Sequence, residues 1–144
     1  MSASIVVPLD FWQNPQSDAI LVYSEHECLI YFACWIAAGE AADFIGQLSF
    51  ERSCGVRSYG REYLPYELPK HECHSWILQI PNSDFVREYL AYRKEHYADS
   101  LSKQTVPNHY VVAGHDIYHE ILASGFTAST ISHRDITDPR LLRL

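Results

Sequence analysis

The sequence predicts an α+β domain: a largely antiparallel β-sheet with one long helix over residues 83–101 and one short helix over 116–123. Three observations lead there. Short apolar runs rich in β-branched and aromatic residues recur through the first two-thirds of the chain, separated by Pro, Asn and Gly. A single stretch, 83–101, carries a long helical stripe with its charges on the other side. Strand and helix signals do not alternate regularly, which argues against a parallel sheet built from βαβ units. The expected order is β-β-β-β-β-α-β-α-β.

Residues 1–17 contain Pro8, Asn14 and Pro15 and read as an N-terminal arm, with Val6, Leu9, Phe11 and Trp12 able to dock it. The domain proper is expected over 18–134. Residues 19–23 form an apolar run and read as a strand. Residues 28–37 carry mixed signals: Ser24 and Glu27 make a capping box and Gly39 could stop a helix. Yet Ile30, Tyr31, Phe32, Trp35 and Ile36 are strand formers, and a helix here would have no polar face. A strand is expected, paired with 19–23 as a hairpin. Residues 44–50 alternate, with Phe44, Gly46, Leu48 and Phe50 on one face. A short strand follows at 54–59, a Pro-containing loop at 64–74, and a strand at 75–80 stopped by Pro81 and Asn82.

The long helix opens on Asn82 or Ser83 as cap, with Asp84 against its positive end. Val86, Leu90, Tyr97 and Leu101 form its stripe, and Val86 and Leu90 are expected to be buried. Strands are expected at 109–113 and 126–131, on either side of the short helix. The tail, 135–144, is polar and then apolar, with Pro139 placed to start a helical turn after Asp138.

Length and charge bound the function. The 144 residues fit one domain and can bury a core without staples. The longest apolar run, 29–39, falls well short of the roughly 18 residues that a membrane-spanning helix needs. The net charge is -7, and it is uneven: residues 1–72 hold ten acidic residues and four basic, with no Lys or Arg before Arg52. That half repels phosphate backbones, so nucleic acid is not an expected partner, whereas a basic protein is. Cys28, Cys34, Cys54 and Cys73 are expected as reduced thiols in a cytoplasmic protein, since the chain shows no basic leader and does not need staples.

Two function classes follow. The first is a non-enzymatic protein-binding module without a cofactor. Arg57, Tyr59, Arg61, Tyr63 and Tyr66 are the residue types that anchor interfaces, and they cluster in one segment. The second is a metal-dependent, zinc-type hydrolase. His115 and His119 stand four apart, so a helix would place both imidazoles on one face. The pattern resembles the zinc-protease motif H-E-x-x-H, with Asp116 in the Glu place and one methylene too short to reach metal-bound water. His71, Cys73 and His74 are the candidate further ligands. A phosphatase-type loop fails on spacing, because Arg61 lies one residue too far from Cys54 for C-x5-R. Phosphate-binding glycine loops and the G-x-S-x-G elbow are absent from the sequence.

Overall fold

The computed structural model describes residues 1–60, 63–97 and 105–144. Within them the chain runs β1 (Ile5–Pro8), β2 (Trp12–Gln13), β3 (Ile20–Tyr23), β4 (Cys28–Ala37), β5 (Glu40–Glu51), β6 (Gly55–Tyr59), β7 (Trp76–Gln79), α1 (Asp84–His96), β8 (Asn108–Ala113), β9 (Tyr118–Ala123) and β10 (Gly125–Ser132). Two 3-10 turns close it, at His133–Asp135 and Pro139–Leu141.

The strands form two sheets rather than one. The first has the order β1-β7-β8-β9-β6; the second has β10-β5-β4-β2, with β3 also paired to β4. Every strand pairing is antiparallel. The 28–37 segment is the expected strand, hairpinned to β3, and Glu27 O accepts from Ser24 N across the turn. The alternating residues Phe32, Leu48 and Phe50 meet Ile77, Tyr110, Val112 and Ile121 in one core between the sheets. Each such buried side chain contributes roughly 1.5–3 kcal/mol of transfer free energy.

The sheets are joined by bent strands. Glu51 leads into Gly55 through Arg52, whose φ is 50°, and Ala123 leads into Gly125 through Ser124. Leu122 O accepts from Cys54 N, and Glu51 O accepts from Ser124 N, so the β5–β6 and β9–β10 pairs run on as one bent ribbon. Strands that switch sheets at a bend make the corner of such a packing. The segment 1–17 makes a similar switch: β1 pairs with β7 in the first sheet, and β2 pairs with β4 in the second.

The expected second helix is a strand. All six residues of β9 are buried, because β8 and β6 flank it and both faces of the sheet are covered. A strand covered on both faces loses its alternation, and its apolar run then mimics a buried helix. The turn before it is fixed by Asp18, whose Oδ1 accepts from Asp116 N at 2.9 Å and Ile117 N at 3.1 Å. Gly114 belongs to that turn, since a Cβ there would lie 2.5 Å from Asp18 Oδ1.

The long helix is described from Asp84 to His96, a 13-residue helix with Tyr97 as C-cap. The remainder of its expected range, 98–101 with Leu101, lies outside the described residues. Ser83 caps it as expected, its Oγ accepting from Val86 N at 3.1 Å. Asn82 precedes it with φ 51°, a left-handed conformation that Asn tolerates. Val86 and Leu90 are half-buried, not buried, because α1 lies against the outer face of the first sheet without a layer over it. The outer face of the second sheet is covered by the tail: Leu141, Ile136 and Leu144 pack on Tyr31, Ile45 and Ile131.

Candidate functional site

Two arrangements stand out, a buried polar clasp beneath α1 and an aromatic cleft at one end of the second sheet. The clasp centres on Glu120 of β9, whose side chain is 1% exposed. Its Oε2 accepts from Arg57 Nε at 2.7 Å. Its Oε1 accepts from His109 Nε2 at 2.9 Å and from the Tyr66 hydroxyl. Nδ1 of His109 meets Ser83 Oγ at 2.6 Å. The strand register explains the convergence. Arg57 pairs directly with Glu120 across β6–β9, and His109 lies two residues before Val111, which pairs with Glu120 across β8–β9.

Burial opposes ionisation of Glu120, but the hydrogen bonds from His109, Arg57 and Tyr66, with the Arg57 charge, outweigh it and bring its pKa down to about 2. Tyr66 is pushed well above its usual value by burial and by the carboxylate it faces. An ionised Glu120 only accepts, so Nε2 of His109 is the donor, and in the neutral ring Nδ1 accepts from Ser83. Phe85 closes the top: its ring meets His109 edge-on, and the Arg57 guanidinium carbon lies 4.0 Å from the Phe85 ring centroid.

Ser83, His109 and Glu120 are the residue types of a hydrolytic triad, and the geometry gives them another task. Ser83 is 6% exposed, and its oxygen is already held by Val86 N as a helix cap. A nucleophile must be reachable and able to give up its proton toward the substrate. This row instead ties α1 to β8 and β9.

The residues expected to bind a partner are largely drawn into this clasp. Arg57 and Tyr66 are its donors. Tyr59 packs on Tyr118 at 5.3 Å. Tyr63 is 81% exposed, and Arg61 lies outside the described residues.

The four histidines of the metal reading are separated. With 116–123 a strand, His115 and His119 share no helix face. His115 sits in the exposed β8–β9 turn, 3.0 Å from Asp116. His119 is buried, with Nδ1 2.6 Å from Ser58 Oγ, and burial pushes its pKa down. His71 meets the Cys73 carbonyl at 3.2 Å, and His74 stacks on Trp12 at 4.3 Å. Among the described residues no group of three or more His, Cys, Asp or Glu side chains is placed to hold a metal ion.

Cys28, Cys34, Cys54 and Cys73 carry no disulfide. Burial pushes the Cys28 and Cys34 thiols up to about 11 and raises Cys54 as well, which keeps them protonated and poor nucleophiles. No helix among the described residues is long and apolar enough to cross a membrane.

The cleft was not legible as a site in the sequence. Leu9, Phe11, Trp12, Trp35, Ile36 and Phe44 line a cavity of about 580 Å³, with Asp10, Cys73, His74, Ser75 and Thr130 at its edges. Its walls are braced. Trp12 meets Trp35 edge-on at 5.9 Å and is backed by His74. Ser75 holds the segment from both ends: its carbonyl accepts from Leu9 N at 2.9 Å and its Oγ from Gln13 N at 3.1 Å. Gln13 Nε2 donates to Ala113 O at 2.7 Å, which ties the same segment to β8. The lining contains Asp10 and neither Lys nor Arg. The only available sequence signal was the pair of Trp residues at 12 and 35, which sequence distance hides and the β2–β4 register brings opposite one another.

Comparison with protein-family models, with curated proteins and with solved structures returns no match for this chain.

Proposed function

We propose that this chain is a non-enzymatic protein-binding module, working where thiols stay reduced, that seats an apolar side chain of a basic partner in the Trp12–Trp35 cleft. The observation that carries this reading is the cleft itself: a braced cavity walled by aromatic and aliphatic side chains, 58% of Ile36 exposed at its rim, and an acidic residue as its one charge. Preformed apolar pockets with aromatic walls are where interface anchors seat, and Trp is among the residues most enriched at such anchors. Charge selects the partner. The cleft is built mainly from residues before Arg52, the half of the chain that holds the acidic excess. Positive residues flanking the anchor would meet a favourable field, which speeds association and sets orientation.

The test uses intrinsic fluorescence, because Trp12 and Trp35 lie in the cleft wall. Peptides carrying one Leu, Phe or Trp flanked by Arg or Lys are titrated against the protein, beside the same peptides with Glu flanks. The basic set should bind and the acidic set should not. Ile36→Asp, at an exposed position, should weaken binding at least tenfold and leave the melting temperature in place, since an apolar anchor contributes more than about 1.4 kcal/mol at a hot spot. Equal binding of both peptide sets, or full binding by Ile36→Asp, would reject the proposal.

A further inference from the structure

The free edge of β10 carries a second interaction surface, independent of the cleft reading. β10 is an outermost strand of the second sheet and pairs with β5 over all eight of its residues, without a register shift. Its other side presents an open row of backbone donors and acceptors. Thr127, Ala128, Ser129 and Thr130 are exposed on both faces of the strand, so neither face is covered there. The tail leaves this edge bare, turning instead onto Tyr31 and Ile45.

Open edges invite pairing, and proteins guard them with charge, Pro, bulges or short length. The remaining edges of this fold carry such guards. β1 is four residues long and ends in Pro8; β6 carries Arg57; the far edge of the second sheet is divided between the four-residue β3 and the two-residue β2. β10 has the sequence GFTASTIS, with no charge, no Pro and no bulge.

We infer that β10 pairs antiparallel with β10 of a second copy of this chain, joining the two second sheets into one continuous sheet across a two-fold axis. A two-fold perpendicular to the sheet reverses strand direction and keeps each face on its own side, so an edge strand meets its own sequence in an antiparallel register centred on one residue. Centring on Ala128 or Ser129 gives the longest overlap. Small side chains then face one another near the axis, and Thr and Ser pair well across antiparallel strands. Charge favours a second copy over a basic partner at this edge. One end of β10 lies beside Glu51 and Arg52, the other leads into Arg134 and Asp135, and each end is balanced. The acidic surplus of the chain therefore lies away from the contact. A single strand pair buries less than about 1,200 Å² in total, which makes the association weak and concentration-dependent.

Sedimentation equilibrium from about 10 µM to 0.5 mM, a range that brackets weak association, provides the test. The mass should rise from 16.6 kDa toward twice that value as concentration increases. Amide hydrogen exchange over residues 125–132 should slow in parallel, while exchange in β6 stays constant. Ser129→Lys places two like charges beside the axis and should raise the dissociation constant at least tenfold, with an unchanged circular dichroism spectrum. Thr127→Lys, one turn of the pleat away, should act in the same direction. A wild-type mass that stays at 16.6 kDa throughout overturns the inference, whether or not an unrelated extended peptide protects the same amides. A dimer that both Lys variants form as well as wild type overturns it equally, since its contact then lies elsewhere.

Discussion

The two sheets cover their outer faces with opposite chemistry. The first buries a carboxylate, an imidazole, a guanidinium and two hydroxyls beneath α1 and the Tyr66 loop. The second buries Tyr31, Ile45 and Ile131 beneath Leu141, Ile136 and Leu144 of the tail. An apolar cover tolerates many arrangements, because its attraction has no direction. A polar clasp tolerates one, because each buried donor left without its acceptor costs about 1–3 kcal/mol. The first sheet therefore fixes where its helix sits, and the second only needs its face kept dry.

The largest effect expected from breaking this contrast is at Glu120. Glu120→Gln gives one of the three donors an amide donor to face, and should lower stability by about 3–5 kcal/mol at pH 7, as breaking a buried ion pair does. Urea unfolding measures it, and a loss under about 1 kcal/mol would show that the clasp is not a holding device. Acid sharpens the comparison. The Glu120 pKa is lowered in the folded state from 4.5 to about 2, so its contribution is complete above about pH 4.5 and disappears as pH falls toward 2. Wild type should lose stability over that window, and Glu120→Gln should lose distinctly less. Leu141→Ala, in the apolar cover, should follow the wild-type slope; a flattened slope in that variant would mean the two faces are coupled.

Next in size is Leu141→Ala itself. Leu141 is buried against Tyr31 and Ile45, and its truncation should cost about 2–3 kcal/mol, near the lower end for buried leucines because a tail can relax into the space. Leu90→Ala on α1 should cost only about 1 kcal/mol, since the side chain is half-buried. A measured loss of 3 kcal/mol at Leu90 would place α1 deeper on its sheet than the structure has it. Smallest is Tyr63→Ala, at an exposed position, which should change the midpoint of denaturation within about 0.5 kcal/mol and matter only if a partner touches it.

Local pattern carried most of the strands. The β-branched and aromatic runs at 28–37 and 44–50 declare themselves, and Ser83 announces the helix it caps. What pattern could not supply was the partition into two sheets, which is set by bends at Arg52 and Ser124 that look like ordinary loop residues. It also misassigned β9, where a strand covered on both sides has the same apolar continuity as a buried helix. The clasp was hidden for a related reason. Arg57 looks solvated until β6 is placed beside β9, and Glu120 looks like half of a failed His-Glu motif until its three donors are placed around it. Cross-strand register brought each of these together, and single-sequence spacing does not encode register.

The strand order also sets a timetable for a chain emerging from the ribosome. The β3–β4–β5 meander is complete once residue 51 has been made, and its contacts are local enough to form early. Its outer edge along β5 must then wait, because the strand that covers it spans residues 125–132 and arrives near the end of synthesis. At the usual few to twenty residues per second, that leaves an apolar edge carrying Phe44, Ile45, Leu48 and Phe50 unpaired for several seconds. Conditions that slow elongation between residues 52 and 124 should therefore lower the yield of soluble protein, and holding factors that bind extended apolar segments should restore it.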